Sequence, residues 1–261
     1  MGFGIMEGGG YQRLRILSYN IQNGVDTQRY RHYVTQSWKH VLPHREKLLN
    51  LNRIASMLKQ YDLVGLQEVD SGSLRSGFVD QTEYLAHRAG FPYWYKQINR
   101  SLGKLAQHSN GLLSRNTPRC VSEHKLPGLP GRGAIYAQFG TTDNMLLVCI
   151  VHLALGRRSR MLQVEYIADR IRRYPNAIVM GDLNCGVDSE EVEYLLEVAD
   201  LQRPTCEKGT FPSWRPMKKL DHILVSKGLH VENPKVIDCA VSDHLPIGID
   251  VLIPNQIDIA V

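Results

Sequence analysis

Asn20, Glu68, His152, Asp182 with Asn184, Asp221, and Asp243 with His244 stand at or just beyond the ends of short apolar runs in this 261-residue chain. A fold that gathers strand ends at one rim would hold such side chains rigidly and let them converge. Each has an ordinary reading taken singly: asparagines serve turns, a glutamate ends a strand in solvent, and aspartates cap helices. The set is harder to dismiss. Carboxylate and amide oxygens are hard donors suited to magnesium or manganese. Magnesium commonly takes one or two protein carboxylates and leaves its other positions to water and phosphate oxygens, so Glu68 with Asn20 would suffice. Two histidines and further carboxylates then remain for proton transfer, which hydrolysis of a phosphate ester requires.

The elements that would carry these residues follow from periodicity. Leu14–Ile21 reads as a strand, and Leu48, Leu51, Ile54, Ala55 and Leu58 recur at helical spacing up to about Tyr61. Asp62–Val69 is a second strand, which makes a βαβ-like unit. After a weak helix at Gln81–Ala89, strands are expected at Tyr93–Ile98, Gly111–Ser114, Ala134–Phe139 and Met145–Leu153, with Pro127–Gly133 as turn material. Met161, Val164, Ile167, Ala168 and Ile171 mark a helix leading to the strand Ala177–Leu183, a second βαβ-like unit. Val192–Val198 is helical, and strands at Ile223–Val225, Val231–Ile237 and Ile247–Ile253 finish the pattern. Alternating elements at both ends around a strand-rich middle favour two packed sheets with helices outside over one open sheet.

Composition sets outer bounds. With 43% hydrophobic and 22% charged residues the chain suits a globular protein that buries a sizeable core. The net charge of +5 favours anionic partners. The longest apolar run, Met145–Val151, is seven residues; a membrane-spanning helix needs about 20. The first residues match neither an export signal nor a myristoylation pattern, so a cytoplasmic location is expected. Cys120, Cys149, Cys185, Cys206 and Cys239 form no C-x-x-C pair and read as small buried side chains rather than disulfides.

Six motifs give the reading a family. Ser18-Tyr19-Asn20-Ile21-Gln22, Leu66-Gln67-Glu68-Val69, Val151-His152-Leu153, Gly181-Asp182-Leu183-Asn184, Leu220-Asp221-His222-Ile223-Leu224-Val225-Ser226 and Ser242-Asp243-His244-Leu245-Pro246 resemble, in order, those of the endonuclease/exonuclease/phosphatase superfamily. The resemblance spans residues 13–253. It implies an α/β fold, a four-layer α/β sandwich of two mixed sheets face to face with helices outside, and a metal-dependent hydrolase of phosphate esters. By that resemblance Glu68 is the principal metal ligand, with Asn20 beside it and Asp243 a further metal or water ligand. Asp182 and Asn184 polarise the attacking water or contact the scissile phosphate. His244 is the catalytic histidine, held by Asp221. His152 matches the histidine of the deoxyribonuclease and neutral sphingomyelinase branches; abasic-site endonucleases usually carry another residue there. Gln22 departs from members with an aspartate at that point. We expect His244 to assist the water and His152 to stabilise the departing oxygen. The organisation expected is a flexible leader at 1–12, one catalytic domain at 13–255 and a tail at 256–261.

Substrate is read from secondary features. His108 and Asn110, in a segment similar to the family strand that often presents an asparagine to phosphate, are substrate-binding candidates. Residues 29–47 interleave aromatics with cations, among them Arg31, Trp38 and His40. Such a loop can stack bases and pair phosphates, or rest at a lipid surface, or pack upon itself. Arg75, Phe78 and Tyr84 are candidates for the same rim. A magnesium-dependent phosphodiesterase acting on nucleic acid is the leading expectation. The alternatives are a phospholipid or inositol-phosphate hydrolase of the same chemistry, with peripheral lipid contact, and a catalytically silent binding protein. No obligate protein partner is expected.

Overall fold

A computed structural model describes residues 10–22 and 45–259; Arg31, Trp38 and His40 lie outside them. The first sheet contains β1 (Tyr11–Asn20), β2 (Leu63–Val69), β3 (Tyr93–Leu102), β4 (Ala106–Ser114), β11 (His230–Val236) and β12 (Ile247–Pro254), in the order β11-β12-β1-β2-β4-β3. The second contains β5 (Cys120–Lys125), β6 (Gly133–Gly140), β7 (Met145–His152), β8 (Asn176–Asp182), β9 (Leu201–Gln202) and β10 (Asp221–Ser226), in the order β5-β6-β7-β8-β10-β9. Among the described residues four helices cover the outer faces: α1 (Arg45–Leu58), α2 (Gln81–Ala89), α3 (Arg157–Ile171) and α4 (Glu190–Val198). The result is an α/β sandwich of two mixed sheets.

Strand alternation explains the layering. In β1, Leu14 and Ile16 enter the core between the sheets, while Leu17 and Tyr19 pack beneath α1 and α2. In β7, Leu146, Val148 and Ile150 face between the sheets, and Leu147, Cys149 and Val151 meet α3 and α4. Both faces of each sheet are therefore buried, which is why these strands read as nearly continuous apolar runs. Each sheet has one central parallel pair, β1 with β2 and β7 with β8, flanked by antiparallel neighbours. A helix connects each parallel pair, as parallel strands require.

Local signals set several boundaries. Asp80 caps α2 by accepting from the Thr82 and Glu83 amides, and Gly90 ends it in the left-handed conformation. Ser189 caps α4 by accepting from the Val192 amide. The strand β5 was not expected; its polar, partly exposed edge sequence, Cys-Val-Ser-Glu-His-Lys, lacks the apolar density of a central strand. The two-residue β9 was likewise unexpected. At the termini, β1 begins at Tyr11, inside the expected leader, and Ile257 and Ile259 are buried in the inter-sheet core, inside the expected tail. All five cysteines are free: Cys149 and Cys185 are buried, Cys206 and Cys239 half-buried, and Cys120 exposed on the edge strand, against the expectation of burial.

Candidate active site

The same alternation that builds the core aims the polar residues. Asn20 shares the inward phase of Leu14 and Ile16, His152 that of Ile150, Asp182 that of Met180, and Asp221 that of Ile223. Each occupies the strand end at one mouth of the sandwich, where the inter-sheet core gives way to polar groups. His152 and Asp182 are register partners across β7 and β8, and Asp182 and Asp221 across β8 and β10. Three adjacent strands thus present one row.

Glu68 arrives by a different device. Leu66 packs on the helix side, so strict alternation would send Glu68 there too. Instead the β2–β4 register slips between Leu66 and Val69, and Glu68 adopts φ +56°. A bulge of this kind re-aims a side chain at the cost of backbone strain. The turned Glu68 carboxylate accepts from Asn20 Nδ2 at 3.4 Å, and its Oε1 lies 4.0 Å from His152 Nε2.

Asp182 is the hub. Its Oδ2 accepts from Asn20 Nδ2 at 3.1 Å and lies 3.5 Å from His152 Nε2 and 3.7 Å from His244 Nε2. Its Oδ1 accepts from the Asn184 amide at 2.9 Å, and Asn184, itself left-handed at φ +52°, donates its side-chain amide to the Leu153 carbonyl. His244 Nδ1 lies 2.8 Å from Asp221 Oδ2, and the Phe211 ring packs on the imidazole at 4.9 Å. Ser242 ties the last motif to the first: its hydroxyl donates to the Asn20 carbonyl at 2.7 Å and accepts from the His244 amide. The Gln22 amide donates to Asn20 Oδ1, closing the first motif on itself.

Burial and crowding set the charges. Burial and the facing Asp221 carboxylate push Asp182 well above the usual carboxylate range. Burial lifts Asp243 to about 6, with Glu68 and Asp221 adding to the rise. Burial by itself would lower His244, but Asp221, Asp182 and Asp243 outweigh it and raise the imidazole to about 10. His152 moves the other way, held well below an ordinary imidazole by burial, Arg132, His244 and His108. At neutral pH His244 is a cation and His152 a neutral ring. The expectation that His244 assists the water therefore meets a ring that already holds both protons.

The donor set suits a hard divalent ion. The Asp182 and Asp221 carboxylates, with the His244 ring between them, lie within 4.8 Å of one another; the carboxylates rather than the protonated ring are the donors, and Asp221 Oδ1 is buried without a hydrogen-bond partner. Glu68 and Asn20 add oxygens beside this cluster, and no cysteine offers a soft ligand.

Of the second-rank candidates, His108 lies 3.3 Å from the Arg75 guanidinium, and Asn110 is buried with its amide donating to the Gly133 carbonyl and its oxygen unpartnered. Arg75 is pinned by Asp70 and the Gln107 carbonyl, Phe78 is exposed, and Tyr84 bonds Asn52 outside the site. The sequence reading missed Arg132, placed there among turn residues. Its guanidinium feels both Glu68 and Asp182 and has no ion pair or side-chain hydrogen bond among the described residues. It missed Phe211 as well, which lies outside any periodic segment.

The family model described as Endonuclease/Exonuclease/phosphatase family matches residues 17–244. A comparison with curated protein sequences found no match. Among solved structures, an endonuclease/exonuclease/phosphatase from Beutenbergia cavernae is similar with TM-score 0.70 and 18% identity over 92% of this chain and 72% of that one. A mannosyl-6-phosphatase of Bacteroides thetaiotaomicron is similar with TM-score 0.64 and 16% identity over 91% of this chain and 99% of that one. The human Nocturnin catalytic domain, with bound sulfate, is similar with TM-score 0.66 and 17% identity, covering 93% and 96%.

Proposed function

Because the chain belongs to the endonuclease/exonuclease/phosphatase family, whose members are hydrolases acting on phosphoester bonds, we propose that it is a magnesium-dependent phosphodiesterase that cleaves by in-line attack of water. The observation that carries this reading is Asp182 Oδ2 set 3.5 and 3.7 Å from the imidazoles of His152 and His244, with His244 anchored on Asp221. Glu68 and Asn20 would hold the ion, with Asp243 beside them. When bound it supplies charge neutralisation for the phosphate and a more acidic water.

The protein's own groups divide the remaining work. Asp182 is a carboxylate of raised basicity fixed by Asn20 and Asn184, suited to taking the proton of the attacking water. His244, kept cationic by Asp221, pairs with a phosphate oxygen, and Arg132 offers a second cation from the β5–β6 loop. His152, neutral and beside Glu68 and Asp182, would give the departing oxygen a hydrogen-bonding partner. A generic aryl phosphodiester tests the reading: turnover should require magnesium or manganese and fall by about 10²-fold or more in Asp182→Asn. Metal-independent turnover, or an unimpaired variant, would overturn it. The nucleic-acid expectation rested on the net charge of +5 and on residues 29–47, most of which lie outside the described residues.

A further inference from the structure

Among the described residues the five most exposed large apolar side chains are Leu155, Leu129, Met217, Phe78 and Leu105, at 58 to 77% exposure; no other exceeds 56%. All five sit on loops at the mouth of the sandwich that holds the site. Leu155 follows His152 at the end of β7, and Leu129 lies in the β5–β6 loop, which packs by Gly128 and Pro127 against Ser159 and Gln163 of α3. Met217 is on the loop that brings Phe211 to His244 and ends at Asp221. Phe78 follows Glu68, and Leu105 tips the β3–β4 hairpin, joined to the same loop where the Leu74 and Arg75 amides donate to the Lys104 and Leu105 carbonyls. Exposed leucines scattered singly are ordinary. Five at one end, from five separate loops, are not scattered.

Cations flank them along the chain. Lys104, Arg158, Arg215 and Lys218 are exposed, within three residues of an exposed apolar tip, and have no ion pair among the described residues. Apolar tips that enter an acyl boundary, alternating with cations that meet anionic headgroups, are the chemistry of a peripheral membrane surface. Duplex nucleic acid would use the cations but gives four aliphatic or thioether tips and a lone phenyl ring little to contact.

We propose that this mouth rests on an anionic lipid bilayer and that the phosphoester it cleaves belongs to a membrane lipid. The inference rests on the phosphodiesterase reading for its chemistry and on the loops for its substrate class. The bilayer would present headgroup phosphates toward the row of Glu68, His152, Asp182 and His244, while soluble esters would reach the same row without help from the tips.

The test uses the full chain with vesicles of phosphatidylcholine alone, with vesicles in which about a third of the lipid is phosphatidylserine, and with duplex DNA. The protein should sediment with the anionic vesicles about tenfold or more better than with the neutral ones. Leu129→Ser with Leu155→Ser should lose about tenfold or more of that binding, together with release of water-soluble phosphate compounds from the vesicles. Its turnover of a soluble aryl diester should be unchanged. Binding that ignores the double substitution, absence of vesicle binding, or faster cleavage of DNA than of vesicle lipid would overturn the proposal. Loss of the phosphodiesterase reading would show separately, as failure of wild-type protein on the soluble diester while vesicle binding persists.

Discussion

Asp182 and Asp221 face each other across the antiparallel pair β8–β10, and His244 spans them, with Nδ1 2.8 Å from Asp221 and Nε2 3.7 Å from Asp182. Two buried carboxylates directly opposite repel one another. The imidazolium between them offsets that repulsion, so the charge of His244 and the basicity of Asp182 are set together.

Asp221→Asn should uncouple them. The His244 titration, followed by its ring-proton NMR shift, should fall from about 10 toward an ordinary imidazole. Turnover of an aryl diester should drop by about 10²–10⁴-fold, and the loss should grow with pH as His244 gives up its proton. A His244 midpoint unchanged in the variant would contradict the coupling.

Glu68 at φ +56° reaches the site through a strained backbone. Glycine tolerates that conformation, while alanine does not. Glu68→Gly should therefore be more stable to denaturant than Glu68→Ala, by about 1 kcal/mol, although it has the smaller side chain. Both should lose most of the rise in melting temperature that magnesium gives the wild-type protein. Equal stability of the two variants would mean that the bulge relaxes freely.

This difference marks what was legible in the sequence. Asn20, His152, Asp182 and Asp221 continue the inward phase of their strands, so apolar periodicity located them and the motifs ordered them. Glu68 was singled out by its place at a strand end, but it breaks its strand's phase, so alternation alone would have aimed it at the helix side. Arg132 comes from a Pro/Gly-rich turn, and Phe211 from a long connection without periodicity, so neither had a local signal; tertiary packing alone brings them in. The edge strand β5 was missed for the same reason, since pairing with β6 rather than burial makes it a strand.

Gly181 supports the Asp182 motif through space rather than chemistry. At φ +148°, a Cβ there would stand 1.9 Å from the Val151 carbonyl oxygen, backbone that has no room to yield. Gly181→Ala should separate β7 from β8 at the Val151 step, one before His152 faces Asp182. We expect a loss of about 3 kcal/mol or more in chemical denaturation, and, in whatever fraction folds, a turnover defect larger than any change in substrate KM. Wild-type stability would show that the two strands part without cost.

Asp70 holds the loop that follows Glu68. Its carboxylate pairs with Arg75 Nε at 2.6 Å and accepts from the Ser73 and Gly72 amides and the Ser73 and Ser76 hydroxyls. Burial opposes the charge, but these hydrogen bonds and Arg75 outweigh it and hold the pKa below the usual carboxylate value. A folded pKa below the unfolded one gives stability that is fully present above the unfolded value and is lost as pH falls through the folded one. Asp70→Asn leaves Arg75 buried without its counter-charge, which should cost about 3–5 kcal/mol at neutral pH. It should also flatten the acid limb of the stability profile, because the variant has no carboxylate left to protonate there. Urea unfolding at a series of pH values reads both effects, and a parallel acid limb in the two proteins would remove Asp70 from that account.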